Sequence, residues 1–536
     1  MNRKGLAVLL ILILIGTSVF PITAQNIEKP SQPASRGNWL YVGGSGPGNY
    51  SKIQDAIDNA SDGDTVFVFH GIYNESVYIE KSLSVIGEDK NNTIIDGQYK
   101  INGVVQLKAD SIYFSGFSVI HSSYYTNGFG MSISSQNIVA NNIISDNRGF
   151  YGGIFIEGGY NQINNNTICS NSGRGILIAY TASYNIISEN KIIANPRGIW
   201  LSSCNNNVIT KNYINNNSVQ GIYIARANYN EISYNTIENN NVVAFRIESA
   251  SNDIIKGNII KNNGEGLVIV DTQSLIITMN SFYDEGIQLA GNVLNYWASH
   301  TISNNFINEK PIYFFKSEKD LIVPSDAGQV ILASCTNCHV ENLYISDVDY
   351  GIQLGYSSTN TISNNQFINI TGTAIILKNS QENEIFNNNI FNSNNGVFID
   401  VLSNSCNIHD NIIKNNIEYG IYLLSSSNII NKNILQNNYA GLYIDFSYYN
   451  TVSNNNFINN SKYHVFYKVN YLLPKSNVFI RNYYDDSGLF LKIIFGKVKT
   501  RYYWESPSGE ITYIYRTGFN IEWHPAKEPY DIPGMR

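Results

Sequence analysis

The sequence predicts an all-β fold, a parallel β-helix, on the strength of a repeat and of its internal alternation. The pattern Gly-Ile-x-Ile, or a close variant, returns between Gly153 and Gly221 with steps of 22, 23 and 23 residues. A repeat of about 20 to 50 residues is typical of a solenoid. Apolar residues alternate within it, as in Ile222-Tyr223-Ile224, which is the period of a strand with one buried face. Coils of about 22 residues are too short for two helices and a turn, so stacked strands follow.

A second periodic feature is an asparagine that opens another short strand in each coil. Stacked side-chain amides can bond along such a row, which predicts an asparagine ladder. Glycine and asparagine also tolerate the left-handed backbone that sharp corners need. The predicted ladder residues are Asn161, Asn185, Asn207, Asn230 and Asn252, and later Asn360, Asn383, Asn407, Asn428 and Asn450.

The repeat is interrupted between Gly286 and Gly351, an interval close to three coils. We expect the helix to continue through it, with 311–315 and 330–332 as strands and 316–324 as a charged loop that leaves the wall. One long domain therefore accounts for the repeat region. The predicted organisation is a signal peptide at 1–24, a linker at 25–37, an N-terminal cap at 38–64, the β-helix at 65–461 and a C-terminal cap segment at 462–536.

Both ends of a solenoid need covers. Residues 51–60 read as a short amphipathic helix, in which Ser51 and Gln54 form a capping box. At the other end, 502–504 and 511–515 are predicted to form a hairpin through Pro507-Ser508-Gly509.

The N-terminus predicts export. Arg3 and Lys4 precede the apolar run 6–15, and Ala24 supplies a small residue for cleavage, as in a secretory signal peptide. An uncleaved segment would be a membrane anchor, and no other stretch is long enough to span a bilayer. The net charge of −7 with 14% charged residues argues against a nucleic-acid partner.

Cysteines and histidines indicate neither a disulfide framework nor a metal or cofactor site. The five cysteines are not one coil apart, so buried free thiols are expected. Cys335-Thr336-Asn337-Cys338-His339 matches a haem-attachment pattern, but Cys338 falls where an inward strand residue is expected. The seven histidines are dispersed, and no cofactor is predicted.

The variable residue of Gly-Ile-x-Ile should point outward, because its neighbours point inward. It is often aromatic, and flat rings one coil apart suit the faces of sugar rings. The outward residues are Phe155, Leu177, Trp200 and Tyr223, and later Phe398, Tyr422 and Tyr443. Two residues further on, Asp400 and Asp445 would lie ~10 Å apart, a separation used by inverting glycosidases. Bracing of the sheet is the alternative role for these rings.

Seven segments carry a resemblance to a known family: 53–57, 63–68, 71–75, 86–87, 93–97, 326–332 and 482–486. They resemble the NosD-like, CASH-type proteins, which are right-handed β-helices of the pectin-lyase-like kind and include archaeal surface proteins. The resemblance covers nearly the whole mature chain. It implies a right-handed β-helix, and either a role in copper-centre maturation of nitrous oxide reductase or a surface function.

We therefore expect an exported or cell-surface β-helix protein that binds polysaccharide without cleaving it, or serves as surface structure. A polysaccharide-cleaving lyase or hydrolase is one alternative, with Asp400 and Asp445 as its candidate catalytic pair. However, the catalytic sequence motifs of pectin methylesterases and polygalacturonases are missing from this sequence. A copper-delivery accessory is the other alternative.

Overall fold

The computed structural model describes residues 37–124, 127–469, 477–486, 491–505, 511–523 and 525–532. The predicted signal peptide and nearly all of the predicted linker lie outside these residues. The described chain is a right-handed parallel β-helix, as predicted, and its coils have three faces. Among the described residues, no helix has the length and apolar character needed to cross a membrane.

The first face contains a twelve-stranded and a seven-stranded parallel sheet, with one strand from each of about 19 turns. Its strands are Trp39–Val42, Thr65–Val68, Ser84–Gly87, Tyr113–Ser115, Ile138–Ala140, Gln162–Asn164, Ile186–Ser188, Val208–Thr210, Glu231–Ser233, Ile254–Lys256, Ile276–Thr278 and Thr301–Ser303, then His339–Glu341, Thr361–Ser363, Glu384–Phe386, Asn407–His409, Ile429–Asn431, Thr451–Ser453 and Val478–Ile480.

The second face contributes a strand that follows each of these strands, except the first, after a sharp corner. Its strands are Gly71–Tyr73, Thr93–Asp96, Ser118–Ile120, Ile143–Ser145, Thr167–Cys169, Lys191–Ile193, Tyr213–Asn215, Thr236–Glu238, Ile259–Lys261, Ser281–Tyr283 and Asn305–Ile307, then Asn389–Phe391, Ile412–Lys414, Ile434–Gln436, Asn456–Ile458 and Tyr483–Tyr484. Two long strands, Tyr344–Gly355 and Gln366–Lys378, bend from the second face onto the third.

The third face carries the Gly-Ile-x-Ile segments. Its strands are Val77–Ile79, Gly103–Leu107, Phe129–Ile133, Gly152–Ile156, Arg174–Ala179, Arg197–Ser202, Gln220–Ala225, Val243–Glu248, Leu267–Val270 and Ile287–Ala290, then Lys310–Lys316, Gln329–Ala333, Asn395–Ile399, Tyr419–Leu423, Ala440–Asp445 and Tyr463–Val469. Inward isoleucines, valines and leucines from all three faces form one continuous core.

The repeated glycine of the third face is required by the stacking distance between coils. A Cβ added at Gly175 would lie 2.7 Å from the carbonyl oxygen of Gly198, and one at Gly198 would lie 2.4 Å from that of Gly221. In these two coils only a residue without a side chain fits without displacing backbone, whereas Ala244 and Ala374 occupy the same position in two other coils. The period of the sequence is therefore the period of coil-to-coil contact.

Three asparagine ladders run through the first half of the molecule, where one was predicted. In the middle ladder, the backbone N–H and Nδ2 of Asn190 both donate to Oδ1 of Asn212, each at 3.0 Å. Asn212 repeats both bonds to Asn235, at 2.9 and 3.0 Å. The residue before each ladder asparagine has a left-handed backbone, as at Lys211 with φ 55°. The side chain thus turns inward at a corner and bonds to the next coil.

Two positions of the predicted ladder are wrong by one residue. Asn230 donates to the carboxylate of Asp253 rather than to Asn252, which occupies the left-handed corner with φ 59°. In the second half Cys406 lies in the ladder row, and Asn407 begins a strand with a half-exposed side chain. Both positions were misplaced because the row is occupied there by another residue type, Asp253 or Cys406, and an asparagine lies directly beside it.

Between Gly286 and Gly351 the regular stacking of coils is interrupted, and we call this interval the seam between the two halves of the β-helix. Strand Lys310–Lys316 pairs antiparallel with Asn305–Ile307 and parallel with Gln329–Ala333, so both predicted strands are present. The predicted loop does not leave the wall, because Lys319 and Ile322 form bridges to Thr336 and His339 of the first face.

Side-chain amides continue the hydrogen bonding across this seam. Buried Gln329 accepts from the N–H of Ile287 at 3.0 Å and donates to its carbonyl oxygen at 2.9 Å. Buried Gln353 accepts from the N–H of Leu289 at 3.2 Å. Strand Ile287–Ala290 is the last strand of its sheet. Its backbone groups therefore have side-chain hydrogen-bond partners in place of a further strand.

A short helix lies at the N-terminal end of the β-helix and a β-hairpin at its C-terminal end, as the predicted fold class includes. Helix α1, Ile53–Asn59, packs on the first coil, but the predicted capping box is wrong, because Lys52 is the N-cap and makes no side-chain cap bond. Instead the carboxylate of Glu75 accepts from the N–H groups of Ile53 and Gln54, at 2.9 and 3.0 Å. At the far end, Leu491–Glu505 and Ile511–Trp523 form the predicted antiparallel hairpin, whose turn lies outside the described residues. A second short helix, α2, spans Asn295–Ala298.

The cysteines are free thiols, as expected. Four of the five are buried, while Cys169 is half-buried. Cys335 and Cys338 of the haem-like pattern both point into the coil and contact backbone carbonyl oxygens.

Candidate functional site

The variable residues of the Gly-Ile-x-Ile segments form rows on the outer surface of the third face. Tyr422 is half-exposed while both neighbours, Ile421 and Leu423, are fully buried, so the ring lies outside the coil. The row of the second half reads Ile331, Gln353, Ile376, Phe398, Tyr422, Tyr443 and Phe466 in register from coil to coil.

The C-terminal part of this row is a continuous set of rings, which we call the tyrosine row: Phe398, Tyr419, Tyr422, Tyr443, Tyr463 and Phe466. Ring centroids along the row lie 5.2 to 5.3 Å apart, from Phe398 to Tyr422, Tyr443 and Phe466. Tyr419 and Tyr463 flank it at 4.9 Å from Tyr443 and 4.5 Å from Phe466. All but Phe466 are half-exposed, so the rings present a face to solvent.

Sequence reasoning missed Tyr419, Tyr463 and Phe466. Tyr419 directly precedes the repeated glycine, and this second outward position carried a signal that the Gly-Ile-x-Ile pattern did not include. Phe466 follows the last recognisable repeat, where the glycine is replaced by His464.

The two candidate carboxylates lie beside the tyrosine row, but each is held by a lysine. Asp400 is 3.9 Å from Nζ of Lys378 on the preceding coil, and Asp445 is 3.8 Å from Nζ of Lys468 on the following coil. Neither lysine therefore lies on a coil between Asp400 and Asp445. The hydroxyl of Tyr422 donates to Asp445 at 3.3 Å. Burial raises the pKa of Asp445, while Lys468 opposes that shift.

The N-terminal aromatic cluster has a different character. Phe155, predicted to offer a free face, is only 6% exposed because Tyr151 stacks on it at 4.2 Å with an interplanar angle of 9°. Leu177 of the same row is also buried. Trp200 and Tyr223 are half-exposed and stack at 5.5 Å, and the Tyr223 hydroxyl donates to Glu248.

Arginines interleave with these rings. The guanidinium of buried Arg174 lies between Phe150 and Trp200, 3.5 and 4.3 Å from the two ring centroids. Arg197 pairs in register with Arg174 on the next coil and donates to Gln220 at 2.9 Å. Burial, with Arg197 nearby, lowers the pKa of Arg174 to about 10, so it stays cationic at neutral pH. We call Phe150, Arg148, Arg174, Arg197, Trp200 and Tyr223 the arginine–aromatic patch.

One group of side chains among the described residues has metal-ligand geometry. Nε2 of His464 lies 2.9 Å from Asp485 and 3.3 Å from Asp486. Burial lowers the pKa of His464. The ammonium of Lys492 contacts the same Asp486 carboxylate and lies 5.1 Å over the ring of Tyr484.

Comparisons with known proteins place the chain in a family. Residues 57–224 and 302–509 match the family described as "Periplasmic copper-binding protein (NosD)", and residues 152–308 match the "Right handed beta helix region". The chain belongs to the NosD family. The resemblance stated from the sequence is thereby confirmed.

Individual relatives are more distant. A "Cell surface glycoprotein" of Methanothermus fervidus is 31% identical over 202 residues, which cover 31% of this chain and 33% of that protein. The chain thus spans about a third of the length of this curated relative. Among solved structures, the PL6 family alginate lyase AlyGC matches with 10% identity over 86% of this chain and 99% of that one, at a TM-score of 0.34. The Agl-KA catalytic domain matches with 14% identity over 66% and 63%, at 0.35.

The described residues do not fit copper(I), one form of the metal that the family name implies. Copper(I) prefers thiolate and thioether ligands, but the His464 group offers one nitrogen and two carboxylates, and Lys492 already contacts one of these. Cys335 and Cys338 point into the core, and burial raises the pKa of Cys335 to about 11, which keeps that thiol protonated. We therefore derive no copper chemistry from this site.

Proposed function

We propose that this NosD-family chain is an exported surface protein that binds polysaccharide along the tyrosine row and does not cleave it. The observation that carries the proposal is the row itself, five half-exposed rings and one buried ring on neighbouring coils of one outer face.

The geometry of the row suits a sugar polymer. Successive coils are ~4.8 Å apart, which is close to the length of one sugar unit, so each unit could meet one ring. Tyrosine combines a flat apolar face with a hydroxyl at its tip, and sugars likewise have an apolar face and hydroxyl edges. The four tyrosines of the row, on three consecutive coils, therefore offer both stacking and hydrogen bonding at the repeat of the ligand.

The family description and the name of a curated relative both support a location outside the cytoplasm. The family is described as periplasmic, and the curated relative is named a cell surface glycoprotein. The apolar N-terminal segment read as a signal peptide agrees with both. Surface structure without a ligand is the alternative within the same class.

The binding proposal predicts a specific loss. Changing Tyr422 and Tyr443 to alanine should weaken glycan binding by about fivefold for each ring, the size of an aromatic contact, while the fold persists because both rings lie outside the coil. A glycan array on the full chain identifies the ligand, and titration of that glycan measures the change.

The matched control is Tyr283→Ala, which removes a tyrosine that is 44% exposed on the second face. It should leave binding unchanged. If the Tyr422 and Tyr443 variants lose thermal stability but keep glycan binding, the rings only brace the sheet and the proposal is wrong.

The carboxylates distinguish binding from catalysis. An acid–base pair should lose two or more orders of magnitude in rate when either member becomes an amide, on the order of general acid–base contributions. Because each carboxylate is already held by a lysine, we expect Asp400→Asn and Asp445→Asn to alter glycan binding less than about twofold. Reducing-end release from the glycan found on the array is the measurement. A cleavage activity that both variants abolish would establish the enzyme alternative instead.

A further inference from the structure

Three arginines of the arginine–aromatic patch have no carboxylate partner. Among the described residues, Arg246 is ion-paired with Glu248, whereas Arg148, Arg174 and Arg197 have no carboxylate oxygen within 4.0 Å. Arg148 instead lies over the rings of Tyr99 and Tyr124, at 3.8 and 4.6 Å from their centroids. In a chain with a net charge of −7, these three arginines on consecutive coils carry positive charge that no carboxylate neutralises by direct contact.

Two further donors in the patch are unsatisfied. Nε of Arg174 and Nε1 of Trp200 are both buried, and neither has a hydrogen-bond partner. Arg174 as a whole is only 5% exposed, so this is a desolvated cation with a free donor. Buried donors without partners are unfavourable, so an acceptor that reached either of them would be stabilised.

We infer that the arginine–aromatic patch binds an acidic polysaccharide, with carboxylate or sulfate groups on the arginines and sugar faces on Trp200 and Tyr223. This rests on the proposed polysaccharide binding and adds the charge class of the ligand. Arg174 and Arg197 lie on adjacent coils, ~4.8 Å apart in rise, so a polymer along the helix axis would place successive acidic groups in register with them. The guanidinium fork matches planar carboxylates and sulfates in two-bond geometry.

Access to Arg174 is controlled by Phe150. This ring covers one side of the guanidinium, yet it is 51% exposed and lies between Gly149 and Gly152, both at positive φ. Rotation of Phe150 away from Arg174 would uncover the guanidinium and its free Nε. Arg148 and Arg197 are half-exposed and need no such change.

The test is a binding comparison on the full chain. The probes are polygalacturonate, the same polymer with its carboxyl groups reduced to alcohols, dextran sulfate and plain dextran. We expect the charged polymers to bind at least about tenfold more tightly than their neutral counterparts, with an affinity that falls as salt rises. Arg197→Gln and Arg148→Gln should each weaken binding of the charged polymers by about tenfold.

The matched control is Arg226→Gln, which removes the same charge from an exposed arginine at a corner. It should change binding less than twofold. Preference for polygalacturonate over dextran sulfate, or the reverse, identifies which acidic group the patch recognises.

The outcomes separate this inference from the proposed function. If polygalacturonate binds but only Tyr422→Ala and Tyr443→Ala weaken it, the acidic-ligand site is wrong and polysaccharide binding stands. If none of the four polymers nor any arrayed glycan binds, both are wrong. Equal affinity for single-stranded DNA would show an unselective anion surface and overturn the inference.

Discussion

Replacing Asn212 with alanine should destabilise the protein by on the order of 4 kcal/mol, more than most single substitutions do. The side chain is 1% exposed and lies in the middle of its ladder. Without it, the N–H and Nδ2 of Asn190 lose their common acceptor, and the carbonyl oxygen of Ile187 loses a donor at 2.8 Å. Each buried group left unpaired costs about 1–3 kcal/mol.

The shift in urea midpoint measures this effect, with amide hydrogen exchange to locate it. In a solenoid each coil contacts only its neighbours, so protection should fall first in the coils on either side of Asn212. Asn164→Ala is the control, because that side chain faces outward from a strand and is half-exposed. If both variants lose the same small free energy of unfolding, the ladder bonds of Asn212 do not stabilise the fold and the prediction is wrong.

The ladders show how far the repeat could be predicted. Spacing and residue type together identified Asn161, Asn185, Asn207 and Asn230, because asparagine occupies the row in each of these coils, whose steps are 24, 22 and 23 residues. The same reasoning misplaced Asn252 and Asn407, because Asp253 and Cys406 occupy the row there and an asparagine lies directly beside each of them. It also missed the middle and third ladders, because many asparagines of this sequence lie at exposed corners and cannot be told from the buried ones by type.

The residues of the candidate site could likewise be predicted only in part from the sequence. Alternation of apolar residues placed Trp200, Tyr223, Phe398, Tyr422 and Tyr443 outside the coil, and the structure has them there. Alternation says nothing about what covers an outward residue. Phe155 is buried by a ring from a preceding loop, and the arginines enter the patch from positions before the glycine, so neither followed from the repeat.

The ladders also have ends, and three of them end on a carboxylate. Asn230 donates to Asp253, Asn263 to Glu285, and Asn482 to Glu522. The last asparagine of a row has two donors and no following amide, so a carboxyl group, whose oxygens can accept from it, suits this position. Burial raises the pKa of all three acids, to about 7 for Asp253 and about 8 for Glu285.

Glu285 should make the protein less stable as pH rises through neutrality. Its side chain is 1% exposed, and the pKa of about 8 stands against an ordinary value of 4.5, with burial as the main cause and Asp349 and Asp284 adding to it. The folded protein therefore holds a proton that the unfolded chain has released. Stability from this group is complete below about pH 4.5 and declines until about pH 8, by on the order of 4 kcal/mol in total.

Glu285→Gln separates this group from its neighbours. Glutamine can still accept from Asn263 through its carbonyl oxygen, but it cannot ionise, so the decline between pH 7 and 8 should disappear. Asp253→Asn is the matched variant, because the pKa of Asp253 is about 7 and that of Asp349 about 6, which places their contributions at lower pH. Urea unfolding from pH 5 to 8.5 measures both. If the pH 7 to 8 slope is unchanged in Glu285→Gln, the carboxylate is ionised in the folded protein, and the two donors of Asn263 keep it charged despite its burial.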